Sequence, residues 1–160
     1  MQNIIDQLTC WINKVPIEFR QMSELEILQR PAPQKWSKKE VLGHLCDSAI
    51  NNLQRFIKIQ YEEEPFVLTP YNQVEWVKIQ GYQELPIDEI LDLWVSLNKK
   101  ILNVIKNIPN EKLILQCDIG SNEPNELMTL QWLIQDYLEH MEHHIKKQIL
   151  TSFSGFPNTH

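Results

Sequence analysis

Residues 136–149 read DYLEHMEHHIKKQI, and the apolar residues of this segment recur every three or four positions, as they do on the buried face of a helix. The segment holds three of the chain's five histidines. Residues four apart lie one above the other on a helix, so His140 and His144 can bind a single ion, whereas His143 points roughly 60 to 100° away from them. A helical wheel places His140 and His144 toward the core and His143 at the rim.

Two interpretations of the inward histidines are open at this point. Each could be a core residue whose ring is hydrogen-bonded to a neighbour. Two inward imidazoles one turn apart weaken this interpretation, because each buried ring would need a polar partner of its own. The pair therefore favours a metal site, which requires at least one further ligand from elsewhere in the chain.

The rest of the chain predicts an all-α protein. Helical periodicity extends over four long segments: 2–28 with a bend at Pro16, 37–61, 86–108 and 129–150. The second segment begins with Ser37 and Glu40, which together form a capping box. Residues 62–85 are long for a plain turn and would allow neighbouring helices to run parallel. We therefore expect an up-down-down-up four-helix bundle with a long connection between its second and third helices.

The shorter segments give weaker patterns. Thr69 and Pro70 predict the start of a short helix in the long connection, as cap and first turn. Residues 113–119, LILQCDI, have a β-like composition but no second strand to pair with, so we expect them to pack as an extended segment. Two sets of apolar residues are expected to face inward: Val74, Trp76 and Val77 of the short helix, and the five tryptophans Trp11, Trp36, Trp76, Trp94 and Trp132, of which Trp76 could also line a pocket.

Length, charge and cysteine content limit the possible functions. A chain of 160 residues fits one domain, 1–160, which can bury a core without metal or disulfides, so a bound metal would serve function rather than folding. The net charge of −6 argues against nucleic acid as a partner. Cys10, Cys46 and Cys117 form no Cys-x-x-Cys pair. With neither a signal peptide nor an apolar run of about 18 residues, we expect a cytoplasmic protein that does not contact a membrane.

The third ligand would have to come from the second helix. His44 lies there on a polar line with Ser48, Asn51 and Arg55, so periodicity alone would place it toward solvent. A site at the open mouth of the bundle would bring it to the other two histidines, but the wheel does not require this. His160, in the C-terminal tail, is expected to be a terminal residue and not a ligand.

Two other kinds of metal site do not fit these motifs. Zinc proteases carry Glu directly after the first histidine or directly before the second, and this chain has Met141 and His143 at those places. Carboxylate-bridged two-metal bundles need Glu-x-x-His on two helices, but Glu40 and Asp47 flank His44 in the wrong order.

Two motifs together resemble those of the DinB-like superfamily of metal-dependent enzymes: WSKKEVLGHL at residues 36–45 and HMEHHIKKQI at residues 140–149. The resemblance extends over nearly the whole chain. It implies an up-down-down-up four-helix bundle in which His44, His140 and His144 bind a divalent metal ion. Imidazole ligands suit zinc or nickel better than calcium or magnesium, so we expect one of the first two.

The resemblance also implies one of two chemistries at an open metal site. One is thiol S-transfer, with a low-molecular-weight thiol as cofactor, and the other is hydrolysis of a small-molecule substrate. Asn51, Arg55 and Asp136 are candidates for orienting the substrate or a ligand imidazole, and no residue stands out as nucleophile or general base. The alternative is a non-catalytic metal-binding or stress-associated bundle, and a homodimer is left open.

Overall fold

The computed structural model describes residues 1–120 and 126–151, so His160 lies outside the described residues. Helices dominate it, and four of them are long, which confirms the all-α prediction. The elements are α1 (Gln2–Gln21), α2 (Glu24–Leu28), α3 (Lys38–Lys58), β1 (Phe66–Val67), α4 (Gln73–Gln80), α5 (Ile87–Lys106), β2 (Gln116–Asp118), β3 (Leu127–Thr129) and α6 (Leu130–His144), which a π-helical turn extends over Ile145–Ile149. Short 3-10 turns cover Tyr82–Glu84 and Asn110–Lys112.

Helices α3 and α5 are neighbours that run parallel. Their first residues lie together, since Lys39 Nζ donates to the carbonyl oxygen of Leu85 at 2.6 Å, just before α5 begins. Further along both helices, Cys46 Sγ lies 3.7 Å from the carbonyl oxygen of Ile90. Residues 59–86, which include α4, form the long connection that returns the chain to the starting end of α3.

The other two long helices run opposite to this pair. At the end of α1 and the beginning of α5, Phe19 and Ile87 line one cavity, so α1 is antiparallel to α5. The beginning of α3 meets the end of α6, and Phe56, near the end of α3, packs its ring 5.9 Å from that of Tyr137, in the middle of α6. The order is therefore up-down-down-up, as predicted.

The first helix is shorter than expected. The prediction of one helix over residues 2–28 is wrong, because α1, which includes Pro16, ends at Gln21. The chain then begins α2 with a second capping box, in which Ser23 Oγ accepts from the Glu26 amide at 3.2 Å and Glu26 accepts from the Ser23 amide at 2.8 Å. Because these bonds satisfy the amides of a new helix end, the break falls at Ser23.

The short helix of the connection also begins later than predicted. Asn72 caps α4, its Oδ1 accepting from the Glu75 amide at 3.1 Å, whereas Thr69 was the expected cap. This start leaves Val74 60% exposed instead of buried, while Val77 packs inward and Trp76 is half-buried.

The segment around Cys117 has two strand partners, so the expectation of unpaired extended packing is wrong. Strand β2 pairs parallel with β1, placing Cys117 opposite Phe66, and antiparallel with β3, placing Cys117 opposite Met128. Each strand has only two or three residues, too few for an alternating pattern to appear in the sequence.

The core lies between the four long helices, and the tryptophans contribute less to it than expected. Trp94 of α5 is fully buried, but Trp132 is 38% exposed, and the other three are half-buried. Within the described ranges, the chain has no helix long and apolar enough to cross a membrane.

Candidate metal centre

Three imidazoles from two helices meet at one end of the bundle. His44 lies in the second turn of α3, and His140 and His144 lie in the last turns of α6. The Nε2 atom of His140 lies 3.3 Å from Nε2 of His44 and 3.2 Å from Nε2 of His144. All three ligand atoms lie within 4.8 Å of one another.

These separations fit a divalent ion. Nitrogen ligands that bind one ion tetrahedrally at about 2.0–2.1 Å lie about 3.3 Å from each other. The two Nε2 separations at His140 agree with this value without any movement of the helices. Three such ligands leave at least one coordination position for water or substrate, as in catalytic rather than structural sites.

The burial of His44 differs from the wheel prediction. Its side chain is fully buried, although it stands on the polar line of α3. The end of α6 packs on that line, and the indole of Trp36 covers the imidazole with a ring-centroid distance of 4.9 Å and an interplanar angle of 32°. The first two residues of the polar line, His44 and Ser48, are therefore buried and do not face solvent.

The electrostatic environment keeps the three rings neutral at physiological pH. The pKa of His44 is lowered to about 3, mainly by burial and to a smaller extent by the neighbouring His144 and His140. Burial likewise lowers the pKa of His140 to about 4 and that of His144 below its ordinary value. A neutral imidazole has a free nitrogen lone pair, which is the form that binds a metal.

A glutamine in the π-helical turn sets the tautomer of one ligand. Gln148 Oε1 lies 2.5 Å from His144 Nδ1, so Nδ1 carries the proton and Nε2 keeps its lone pair for the metal. The equivalent atom of His44, Nδ1, is buried and has no hydrogen-bond partner among the described residues. His143 stands outside the cluster, exposed on α6 with its ring centroid 5.7 Å from that of His144.

The other predicted residues lie to one side of the imidazoles. Arg55, Asp136 and His140 line one chamber of about 120 Å³, with Asp136 itself exposed. Asn51 does not reach this chamber, since its side-chain amide donates to the Asp47 carbonyl at 2.8 Å. Although the residue as a whole is exposed, partial shielding of the Asp136 carboxyl from water raises its pKa, as does the nearby Glu139.

A buried network that the sequence did not reveal supports the α3 side of the site. Asp47, one turn after His44, is fully buried, and its Oδ1 accepts hydrogen bonds from the Tyr82 hydroxyl at 2.6 Å and from Gln80 Nε2 at 2.7 Å. Tyr82 and Gln80 lie in the long connection, 35 and 33 residues after Asp47, so no local pattern links them to it.

Comparisons with known proteins agree with this architecture. Residues 14–147 match the family model described as the DinB superfamily. A protein of Halalkalibacterium halodurans named "Putative metal-dependent hydrolase BH0277" is 30% identical over 126 residues, which cover 78% of this chain and 70% of that protein. "Putative metal-dependent hydrolase BcerKBAB4_2443" of Bacillus mycoides is 28% identical over 111 residues, which cover 67% of this chain and 63% of that protein, less than two thirds of its length.

One solved structure has the same fold. It is described as "YfiT from Bacillus subtilis is a probable metal-dependent hydrolase with an unusual four-helix bundle topology". The two structures superpose with a TM-score of 0.79 over 92% of this chain and 82% of the other, at 20% sequence identity.

Proposed function

The chain belongs to the DinB superfamily, and from this we propose that it is a metal-dependent enzyme of the hydrolase type. The observation that carries the proposal is the cluster of three imidazoles in which His140 Nε2 lies 3.3 Å from His44 Nε2 and 3.2 Å from His144 Nε2, with all three ligand atoms within 4.8 Å of one another. Three side chains with this spacing serve a single ion and leave it open to a substrate.

A divalent ion held here would supply a Lewis acid, which lowers the pKa of a water molecule and polarises the bond to be cleaved. Zinc or nickel suits a set of three imidazoles best. His44, His140 and His144 contribute neutral donors because their pKa values lie below the ordinary value. Gln148 holds the His144 ring in the required tautomer, and Trp36 excludes water from the buried side of His44.

Asp136 is the candidate for proton transfer in this site. It lies one turn before His140 on α6, and both residues line the same chamber. A carboxyl whose pKa is raised by burial is better matched to accept and return a proton near neutral pH than one with the ordinary value. Arg55 faces Asp136 across the chamber and attracts the charged form of its carboxylate.

The experiment is a comparison of metal-free protein with protein loaded with Zn²⁺ or Ni²⁺, assayed against a panel of activated esters and amides. We expect hydrolysis that follows metal occupancy, that is lost in His140→Ala, and that is retained in His143→Ala. Free metal ion at the same concentration is the background control. Equal rates for metal-free and loaded protein would overturn the hydrolase proposal.

Thiol S-transfer uses the same three ligands and remains a prediction from the family resemblance. The same protein samples distinguish it from hydrolysis when a low-molecular-weight thiol and an electrophilic acceptor are added. Consumption of the acceptor that requires both metal and thiol, together with no hydrolysis of any ester or amide, would assign the transferase chemistry instead.

A further inference from the structure

Two cavities beside the metal centre meet at one arginine. The inner one is the chamber of about 120 Å³ against His140, and the outer one is a groove of about 420 Å³. Arg55 and Tyr71 line both of them, so these two side chains stand at the junction. The inner chamber is the smaller of the two cavities.

The guanidinium of Arg55 is half-buried and has donors to spare. One of its NH2 groups, Nη2, donates to the Thr69 carbonyl at 2.9 Å, and the other, Nη1, makes a long contact of 3.4 Å with Asn52 Oδ1. Among residues 1–120 and 126–151 no carboxylate lies within 4.0 Å of it, whereas Arg30 pairs with Glu40 at 2.6 Å. A guanidinium has five N–H donors, so a partly buried one without an ion-pair partner can receive an anion from outside.

The groove walls suit an apolar group next to that anion. Tyr71 and Trp76 stand with their ring centroids 5.2 Å apart, and Phe66 and Pro70 complete an apolar surface. The second cation of the groove, Lys58, already has Glu62 as a partner at 4.0 Å. With one guanidinium that has no carboxylate of the described residues within 4.0 Å, the groove is suited to a singly charged planar carboxylate and less to a dianionic phosphate.

We propose that Arg55 binds a carboxylate of the substrate, whose apolar part lies in the outer groove along Tyr71 and Trp76. This proposal rests on the proposed function, because it assumes that the bond to be cleaved lies in the inner chamber, next to His140. Asp136 lines the same chamber, and its carboxylate would repel any further anionic group of the substrate. The single carboxylate of the substrate therefore lies next to Arg55.

The test observes Arg55 directly. The chain has three arginines, Arg20, Arg30 and Arg55, so the side-chain Nε–Hε signals of ¹⁵N-labelled protein can be assigned with an Arg55→Lys variant. The probes are benzoate and its neutral counterpart benzamide, added to metal-free and to zinc-loaded protein. We expect benzoate to shift the Arg55 signal saturably in both forms, benzamide to bind at least about tenfold more weakly, and Arg20 and Arg30 to stay unchanged.

Two variants complete the test. Arg55→Gln should weaken benzoate binding by about tenfold or more, whereas Lys58→Gln, in the same groove, should leave it within about twofold. Circular dichroism of both variants checks that they fold. Equal binding of benzoate and benzamide, or an Arg55→Gln protein that binds benzoate as tightly as the wild type, would overturn the carboxylate assignment.

The outcome is independent of the proposed function. Benzoate binding is measured in metal-free protein, and the metal content of Arg55→Gln is measured separately. Loss of the benzoate site with normal metal content contradicts only the Arg55 proposal, and benzoate binding by a protein that takes up no metal contradicts only the proposed function.

Discussion

Gly43 packs directly against the ring of Tyr82, with no room for a side chain between them. A Cβ atom on Gly43 would stand 2.6 Å from Cε2 of this ring and closer still to Cδ2 and Cγ. The ring cannot move away easily, because Tyr82 is 2% exposed and its hydroxyl donates to the buried Asp47. The residue before His44 thus lets the long connection pack closely on α3.

We therefore predict that Gly43→Ala destabilises the protein although alanine favours helices. Alanine in a helix interior gains about 1 kcal/mol over glycine, but overpacking a rigid core site costs about 1–3 kcal/mol. The net loss should appear as a lower midpoint of urea unfolding with an unchanged slope. The control is the same substitution in a Tyr82→Ala background, where alanine at position 43 should no longer be harmful. A Gly43→Ala protein as stable as the wild type would show that the ring yields.

The sequence was sufficient for three of the four long helices, α3, α5 and α6, because their signals are local. The capping box of Ser37 and Glu40 is present as predicted, and Thr129 caps α6, its Oγ1 accepting from the Trp132 amide at 3.1 Å. A third local signal, Ser23 followed three residues later by Glu26, was available and would have given the break between α1 and α2.

The remaining features depend on contacts between distant residues. A helical wheel describes one helix in isolation, so it gave His44 as solvent-facing, whereas Trp36 and the end of α6 bury it. Strand β2 likewise lies between β3 and β1, and β1 is distant from it in sequence. The role of Gln148 depends on a π-helical turn, which no spacing rule indicated.

The histidine assignment predicts unequal effects on metal content. His44→Ala, His140→Ala and His144→Ala should each lower the stoichiometry well below one ion per chain, because each removes one of three converging nitrogens. His143→Ala is the matched control, since it removes a neighbouring imidazole that lies outside the cluster. The measurement is elemental analysis after dialysis against trace metal. Full occupancy in His44→Ala would mean that α6 alone binds the ion.

Removing the ion should leave the helices intact. The four long helices bury their apolar faces against each other, and the metal centre lies at one end of this core. After chelation we expect an unchanged far-ultraviolet circular dichroism spectrum at 25 °C, with a lower melting temperature because the ligand binds only the folded state. Loss of the helical signal on chelation would make the site structural.

The metal-free protein should lose stability as the pH falls below about 6.5, the ordinary pKa of an unfolded histidine. In the folded protein burial lowers the pKa of His44 to about 3 and that of His140 to about 4. Between these values and 6.5 the unfolded chain binds more protons than the folded one, so the free energy of unfolding decreases with decreasing pH.

The decrease is measured by urea unfolding of metal-free protein between pH 7.5 and about 5, above the range where ordinary carboxylates titrate. His44→Gln should show a smaller decrease than the wild type, because it lacks the group whose protonation is most disfavoured by folding. His143→Ala should follow the wild-type curve, since this exposed residue lies outside the cluster. Asp47 and Asp136, whose pKa values are raised, act in the opposite direction but equally in all three proteins, so the difference between the curves reports His44. Parallel curves for wild type and His44→Gln would mean that this imidazole is protonated as easily in the folded chain as in the unfolded one.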